Sequence, residues 1–319
     1  MKYSNLFALL SAVFCLSGCL GKVMCDYALK PANHGQNIER DKAYYDKYYK
    51  GCASWYDSLA AAGVFKDTVI VGEGGYKLHG TYGSAPGKAE GCVILVHGYT
   101  SNYVGMLNLA RLYRDTLRYN VLLPDLHYHG LSEGVAAQFG WKDRLDVMRW
   151  IEVAHNVWND PFMVVHGISM GGATTMMVSG EDLPEYVGAF VDDCGYTSAW
   201  DQFSHNMKQQ FAWLPAKKAV LNAASRYCEK HYGWNFKEAS SVDQLAKCKR
   251  PMLFIHGDAD DFVPTAMVYE NYEAKVDGYK EIWLAPGAEH ALSYKRHPAD
   301  YYVHVRDFLV KAKELRGVR

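Results

Sequence analysis

The sequence predicts an α/β fold: a doubly wound, mainly parallel sheet with a helical cap inserted late in the chain. Three observations carry this expectation. Short apolar runs at 93–96, 121–123, 162–165, 189–191 and 252–255 read as strands buried on both faces. Stretches with helical spacing of apolar residues separate them, an alternation that builds parallel sheets. The alternation stops from Ser198 to Lys249, where no strand signal occurs and aromatics such as Trp200, Phe203, Phe211, Trp213 and Trp234 crowd helical stretches. That interruption is the expected cap.

Composition bounds the rest. The chain has 319 residues, 49% of them hydrophobic, which indicates a globular fold rather than disorder. A formal net charge of −1 supplies no global field for nucleic acid or an anionic membrane. The N-terminus reads as an export signal, with Lys2 before the apolar segment Leu6–Leu16, too short to span a bilayer comfortably. Leu16-Ser17-Gly18-Cys19 resembles the lipobox of bacterial lipoproteins. The resemblance implies cleavage before Cys19, acylation of Cys19 and a chain held at a membrane of the cell envelope by lipid. The expected division is a signal peptide over 1–18, an N-terminal tether and helical segment over 19–65, and a main domain over 66–319 with its cap at about 198–249.

Six further cysteines remain beyond Cys15 and Cys19. In an exported chain an even number permits disulfides, with Cys228–Cys248 and Cys25–Cys52 the nearest pairings in sequence. Cys92 opens an apolar strand and reads as a buried thiol. No Cys-x-x-Cys pair occurs.

In chain order, Asn37 to Ala61 is helical, with Tyr44, Tyr48, Cys52, Trp55 and Leu59 on one face and Gly51 dividing the middle. The face reads as packing against the flank of the core. A hairpin follows, Thr68–Val71 and Tyr76–Tyr82 around Glu73-Gly74-Gly75. The strand at 93–96 delivers His97-Gly98-Tyr99, and helix signal runs from Tyr103 to Tyr119. The strand at 121–123 ends in Asp125-x-x-x-His129-Gly130-x-Ser132, and a helix at 141–158 places Val147, Trp150, Ile151, Ala154 and Trp158 on one stripe. After the cap the sheet resumes at 252–255 and 281–284, and a helix from Pro298 to Leu315 closes the chain.

The chemistry centres on Gly167-x-Ser169-x-Gly171, between a buried strand and a helix signal. A serine on so tight a turn is a nucleophile elbow, flanked by glycines because neighbouring backbone passes within contact distance. Its hydroxyl needs a base, and the base needs an acid to orient it. Gly257-x-x-Asp260-x-x-Val263-Pro264 closes one strand and Gly287-Ala288-Glu289-His290 follows the next. Together these motifs resemble the α/β-hydrolase family, over about residues 66 to 319. The resemblance implies Ser169 as nucleophile, Asp260 as acid and His290 as base, with the backbone N–H groups of Tyr99 and Met170 as oxyanion donors. Asp192 and Asp193 are the alternative acids, and His297 a rival base. The Asp125–Ser132 loop is similar to a structural loop of the family, whose histidine holds backbone.

No metal or other cofactor is expected. A calcium loop beginning at Asp258 would need glycine and glutamate where Val263 and Tyr269 stand. The expected activity is hydrolysis through an acyl-enzyme. The closest resemblance is to cinnamoyl-type and short-acyl carboxylesterases, then to serine aminopeptidases, with acyltransfer as a third reading. The substrate is thus a small-molecule ester or a peptide, and Trp200, Phe211 and Trp213 of the cap are candidates to bind it. A non-catalytic binding module is the alternative of a different class.

Overall fold

A computed structural model describes residues 20–318. The expected signal segment and Cys19 lie outside the described residues. Residues 20–29 form helix α1. Asn37 caps α2 (Ile38–Tyr48) by accepting from the Arg40 N–H, and Gly51, left-handed at φ 79°, separates α2 from α3 (Cys52–Ala61). That break ends the single apolar stripe expected across 37–61. Tyr44 and Tyr48 point to solvent, while Cys52 and Tyr56 are buried.

The sheet then begins with β1 (Phe65–Val71), β2 (Lys77–Gly83) and β3 (Cys92–Val96). Instead of one long helix, 103–116 is a broken segment: a 3-10 turn at Tyr103–Met106, α4 (Leu107–Arg111) and a wide π turn at Leu112–Thr116. Next come β4 (Asn120–Pro124), α5 (Asp143–Trp158), β5 (Met163–Ile168), α6 (Met170–Ser179) and β6 (Val187–Asp193). The cap holds α7 (Ala199–Gln210), α8 (Lys217–Tyr232) and α9 (Ser241–Leu245). Its ends meet in a bridge between Ser198 and Ser240. The chain finishes with β7 (Met252–Gly257), α10 (Ala266–Ala274), β8 (Lys280–Ala285), α11 (Ser293–Arg296) and α12 (Pro298–Leu315).

The eight strands form one sheet in the order β1-β2-β4-β3-β5-β6-β7-β8. β2 runs antiparallel to β1 and β4, and all other pairs are parallel. The predicted mainly parallel α/β sheet is the architecture observed. Every residue of β3, β4, β6 and β7 is buried, as continuous apolar runs require of strands covered on both faces. One core layer packs α5, α6 and the cap on one face of the sheet; the other packs α3, α4 and α12 on the opposite face.

Helix α1 belongs to the cap face. A Cβ on Gly21 would stand 2.7 Å from the Ala223 Cβ of α8, so the two helices approach nearly backbone to backbone. Tyr99 donates its hydroxyl to the Ala28 carbonyl at 2.6 Å, and the Ala137 N–H donates to Leu29 at 2.8 Å. The six described cysteines are free and buried. Cys25 of α1 faces Cys228 of α8, and neither pairing nearest in sequence occurs.

Candidate active site

Ser169 sits where β5 turns into α6, with φ 58° and ψ −117°, a backbone a β-substituted residue holds only under constraint. The constraint comes from the glycines around it. A Cβ on Gly167 would overlap the Gly171 carbonyl, one on Gly171 the Val96 carbonyl, and one on Gly172 the Asp192 carboxylate. The Ser169 N–H donates to the Asp193 carbonyl at 2.8 Å, which ties the turn to β6.

From this turn a hydrogen-bonded chain runs across two loops. Ser169 Oγ lies 2.8 Å from His290 Nε2, and His290 Nδ1 lies 2.7 Å from Asp260 Oδ2. Asp260 Oδ1 accepts from the Phe262 and Val263 N–H groups, both at 2.9 Å. Burial pushes the Asp260 carboxyl up, but its contacts with His256 and His290 outweigh this and hold it down at about 2. An ionised Asp260 accepts from Nδ1–H of His290, which leaves Nε2 free to accept the serine O–H.

The alternative acids do different work. Asp193 accepts from the Tyr301 hydroxyl at 2.9 Å and from Ser293 at 3.4 Å, and burial lifts its carboxyl to about 6. Asp192 accepts from the Gly195 N–H at 2.9 Å and is lifted by burial to about 7. Neither bonds to His290. His297, the rival base, bonds the Pro286 carbonyl at 2.7 Å.

Gly98 passes beside the serine: a Cβ there would stand 3.4 Å from the Ser169 Cβ. Tyr99 and Met170, the expected oxyanion donors, line the same cavity as Ser169, and Met170 is the first residue of α6, where an N–H has no partner within the helix. The Asp125–Ser132 loop is structural. Asp125 accepts from the Tyr103 N–H at 2.7 Å and the Leu131 N–H at 3.0 Å, and Ser132 donates to the Asp125 carbonyl at 2.6 Å. Burial drives the His129 imidazole down to about 3, so it stays neutral.

Two cavities meet at Ser169. The larger, of 580 Å³, runs under the cap and is lined mostly by apolar groups, among them Met24, Tyr27 and Ala28 of α1, Phe203 and Met207 of α7, and Leu221 and Ala224 of α8. The smaller, of 320 Å³, holds His290 and reaches Tyr45 of α2 and Tyr49 just past its end. Phe262 and Tyr99 border both, and the Phe262 ring stands 4.8 Å from the His290 ring.

Of the three cap aromatics proposed to bind substrate, only Phe211 lines the cavity. Trp200 is not a lining residue: it packs against the core with the Lys237 ammonium 4.8 Å from its ring. Trp213 lies outside the cavity as well, on the turn after α7, 76% exposed. Sequence reasoning missed the wall built by α1, because contact between residues 24–32 and the cap has no local signature.

One cluster among the described residues has metal-ligand spacing: Cys194 Sγ, Asp260 and His290 offer atoms within 4.8 Å of one another. The donor set does not fit a metal. Asp260 and His290 are spent on each other, and burial pushes the Cys194 thiol well above its usual range, which withholds the thiolate a metal needs.

The sequence pattern of the prolyl oligopeptidase family matches residues 132–315, more than half of the chain. The chain belongs to the prolyl oligopeptidase family. Membership makes it an α/β hydrolase of the serine type. Among relatives of this family member, the uncharacterized protein YqkD of Bacillus subtilis (strain 168) is 29% identical over 242 residues, 76% of this chain and 78% of YqkD. Many solved structures share the fold, and two illustrate it. The esterase Pf2001 of Pyrococcus furiosus superposes with a TM-score of 0.63 at 24% identity, covering 77% of this chain and 90% of the esterase. A membrane phospholipase A superposes with a TM-score of 0.58 at 14% identity, covering 98% of this chain and 99% of its own.

Proposed function

We propose that this chain hydrolyses carboxylic esters with a bulky apolar acyl group, through an acyl-enzyme on Ser169. One observation carries the reading: the Ser169–His290–Asp260 chain opens directly into a 580 Å³ apolar cavity. His290 takes the serine proton as Oγ attacks the ester carbonyl, and Asp260 stabilises the imidazolium. The Tyr99 and Met170 N–H groups hold the oxyanion. His290 must then protonate the leaving oxygen, so the alcohol sits on its side, in the 320 Å³ cleft that His290 lines. The acyl group takes the larger cavity, which Met170 and Ser169 floor. Water activated by His290 completes the cycle.

The esterase of Pyrococcus furiosus and the phospholipase A superposed above are named for ester chemistry, in keeping with this reading. An aminopeptidase would need a carboxylate to bind the substrate ammonium, and no Asp or Glu lines either cavity among the described residues. An acyltransferase would use the same acyl-enzyme with water excluded.

A fluorophosphonate probe should label the protein and lose its target in Ser169→Ala, while a panel of acyl esters and aminoacyl amides should show turnover of the esters. Absence of labelling would leave a binding module instead. The lipobox-like Leu16-Ser17-Gly18-Cys19 motivates a second proposal, that Cys19 carries a membrane anchor. Cells fed labelled fatty acid should mark the wild-type chain and not Cys19→Ser; equal label in both would remove the anchor from Cys19.

A further inference from the structure

We propose that a strip of exposed apolar side chains at the mouth of the large cavity docks on a lipid bilayer, and that the ester enters the cavity from that bilayer. The proposal rests on the hydrolase reading above and adds where the substrate comes from.

The strip starts on α1. Val23 and Tyr27, one helical turn apart, are 59% and 61% exposed. The Tyr27 ring meets Phe211 edge-on at 5.7 Å, and Phe211 meets Trp213 at 6.5 Å. Four large side chains thus join α1 to the turn between α7 and α8, where Ala212, Pro215 and Ala216 are also exposed. Tyr27 and Phe211 line the cavity as well, so the strip is its rim. An exposed contiguous apolar patch marks a binding surface, and one bordering an apolar cavity invites an apolar occupant.

Three features select a bilayer. Tyr and Trp have an apolar body and a polar tip, the chemistry of the membrane–water interface. Lys218 opens the exposed side of α8 beside the same turn and has no carboxylate partner among the described residues, which suits anionic headgroups, while Lys217 Nζ donates to the Ala212 and Leu214 carbonyls at 2.8 Å and holds the turn. Position decides the matter. The chain leaves the described structure at residue 20, three residues or about 5 Å along the helix from Val23. Before it lies the apolar stretch Leu6–Leu16 and Cys19. A lipid on Cys19, as proposed above, would bring this rim to the surface first.

The test mixes the full chain with vesicles of equimolar phosphatidylethanolamine and phosphatidylglycerol carrying brominated acyl chains, which quench tryptophan on contact. Wild type and Trp213→Phe share the same N-terminus, so anchoring cancels between them. The quenched share of emission should fall in Trp213→Phe. In the double variant Val23→Ser, Trp213→Ser, hydrolysis of a long-acyl ester embedded in the vesicles should fall about tenfold, with turnover of a soluble short-acyl ester held. Equal quenching of wild type and Trp213→Phe would overturn the docking and leave the rim to a protein partner. Equal losses on both esters would overturn entry from the bilayer. If wild type cleaves no ester yet Trp213 is quenched, the docking stands and the hydrolase reading fails.

Discussion

The floor of the candidate active site and its cover are built on opposite principles. The floor is the carboxyl edge of β5, β6 and β7, with the Ser169, Asp260 and His290 loops laid over it. Gly167, Gly171 and Gly172 leave no room for a single methyl group, and parallel ladders pair Gly167 with both Val96 and Asp192. The cover is α1, α7 and α8, held by side-chain contacts such as Tyr27 of α1 with Phe211 at the end of α7 at 5.7 Å, and Phe203 of α7 with Phe236 just past α8 at 4.6 Å. Proton transfer between Oγ and Nε2 tolerates displacements of only tenths of an ångström, so the reacting groups belong where the sheet fixes the backbone. Recognition of an acyl chain tolerates far more, and side-chain packing suffices for it. Chemistry and selectivity should therefore respond to different substitutions.

Asp260→Asn should give the largest effect on the floor. It removes the charge that holds the imidazole tautomer, and kcat/KM should fall by about 10⁴-fold for every ester alike. The stable fold should persist, because the Phe262 and Val263 N–H groups keep an oxygen acceptor. A change in acyl preference in this variant would blur the division between floor and cover.

Ala28→Phe tests the cover. Its side chain would fill the α1 wall of the large cavity, and the ratio of long- to short-acyl kcat/KM should drop by about 10–100-fold. A parallel fall for both substrates would mean that α1 packs without selecting.

The smallest effect concerns buried carboxylates, Asp192 and Asp193 beneath the floor and Asp143 and Asp146 on α5. Burial lifts Asp143 and Asp192 to about 7 and Asp146 and Asp193 to about 6. Between about pH 4 and those values the folded chain holds more protons than the unfolded one, so stability contributed in acid is lost as pH rises. Asp260, held at about 2, acts oppositely: its contribution is present above about pH 4 and is lost as pH falls toward 2. Asp192→Asn keeps the acceptor for the Gly195 N–H and removes a charge whose second oxygen has no partner. Denaturation should find it unchanged near pH 4 and more stable by a few kcal/mol near pH 8. Equal stability gains at both pH values would point to packing instead of titration.

Much of the floor was legible in the sequence because its determinants are local. A buried strand, a glycine-flanked serine and the following helix signal occupy one short stretch, and Asp260 and His290 each follow their own strand. The Gly257–Pro264 motif already put Asp260 ahead of Asp192 and Asp193, and the tertiary structure adds the geometry: Asp193 is taken by Tyr301, while Asp260 bonds His290. The cover was legible as a break in the strand–helix alternation and no further. Composition alone could not separate Phe211 in the cavity from Trp200 packed against the core and Trp213 in solvent, since all three are aromatics on helical stretches.

By itself, then, the sequence determined the sheet, the elbow and the order of the chemical groups, because period and turn chemistry are properties of neighbouring residues. Only the tertiary structure decided what encloses them. Met24, Tyr27 and Ala28 meet Met207, Phe211 and Ala224 across some 180 residues of intervening chain, and Cys25 finds Cys228 in the same way. Contacts of that separation follow from how helices stack on a finished sheet, and no pattern within either segment encodes them.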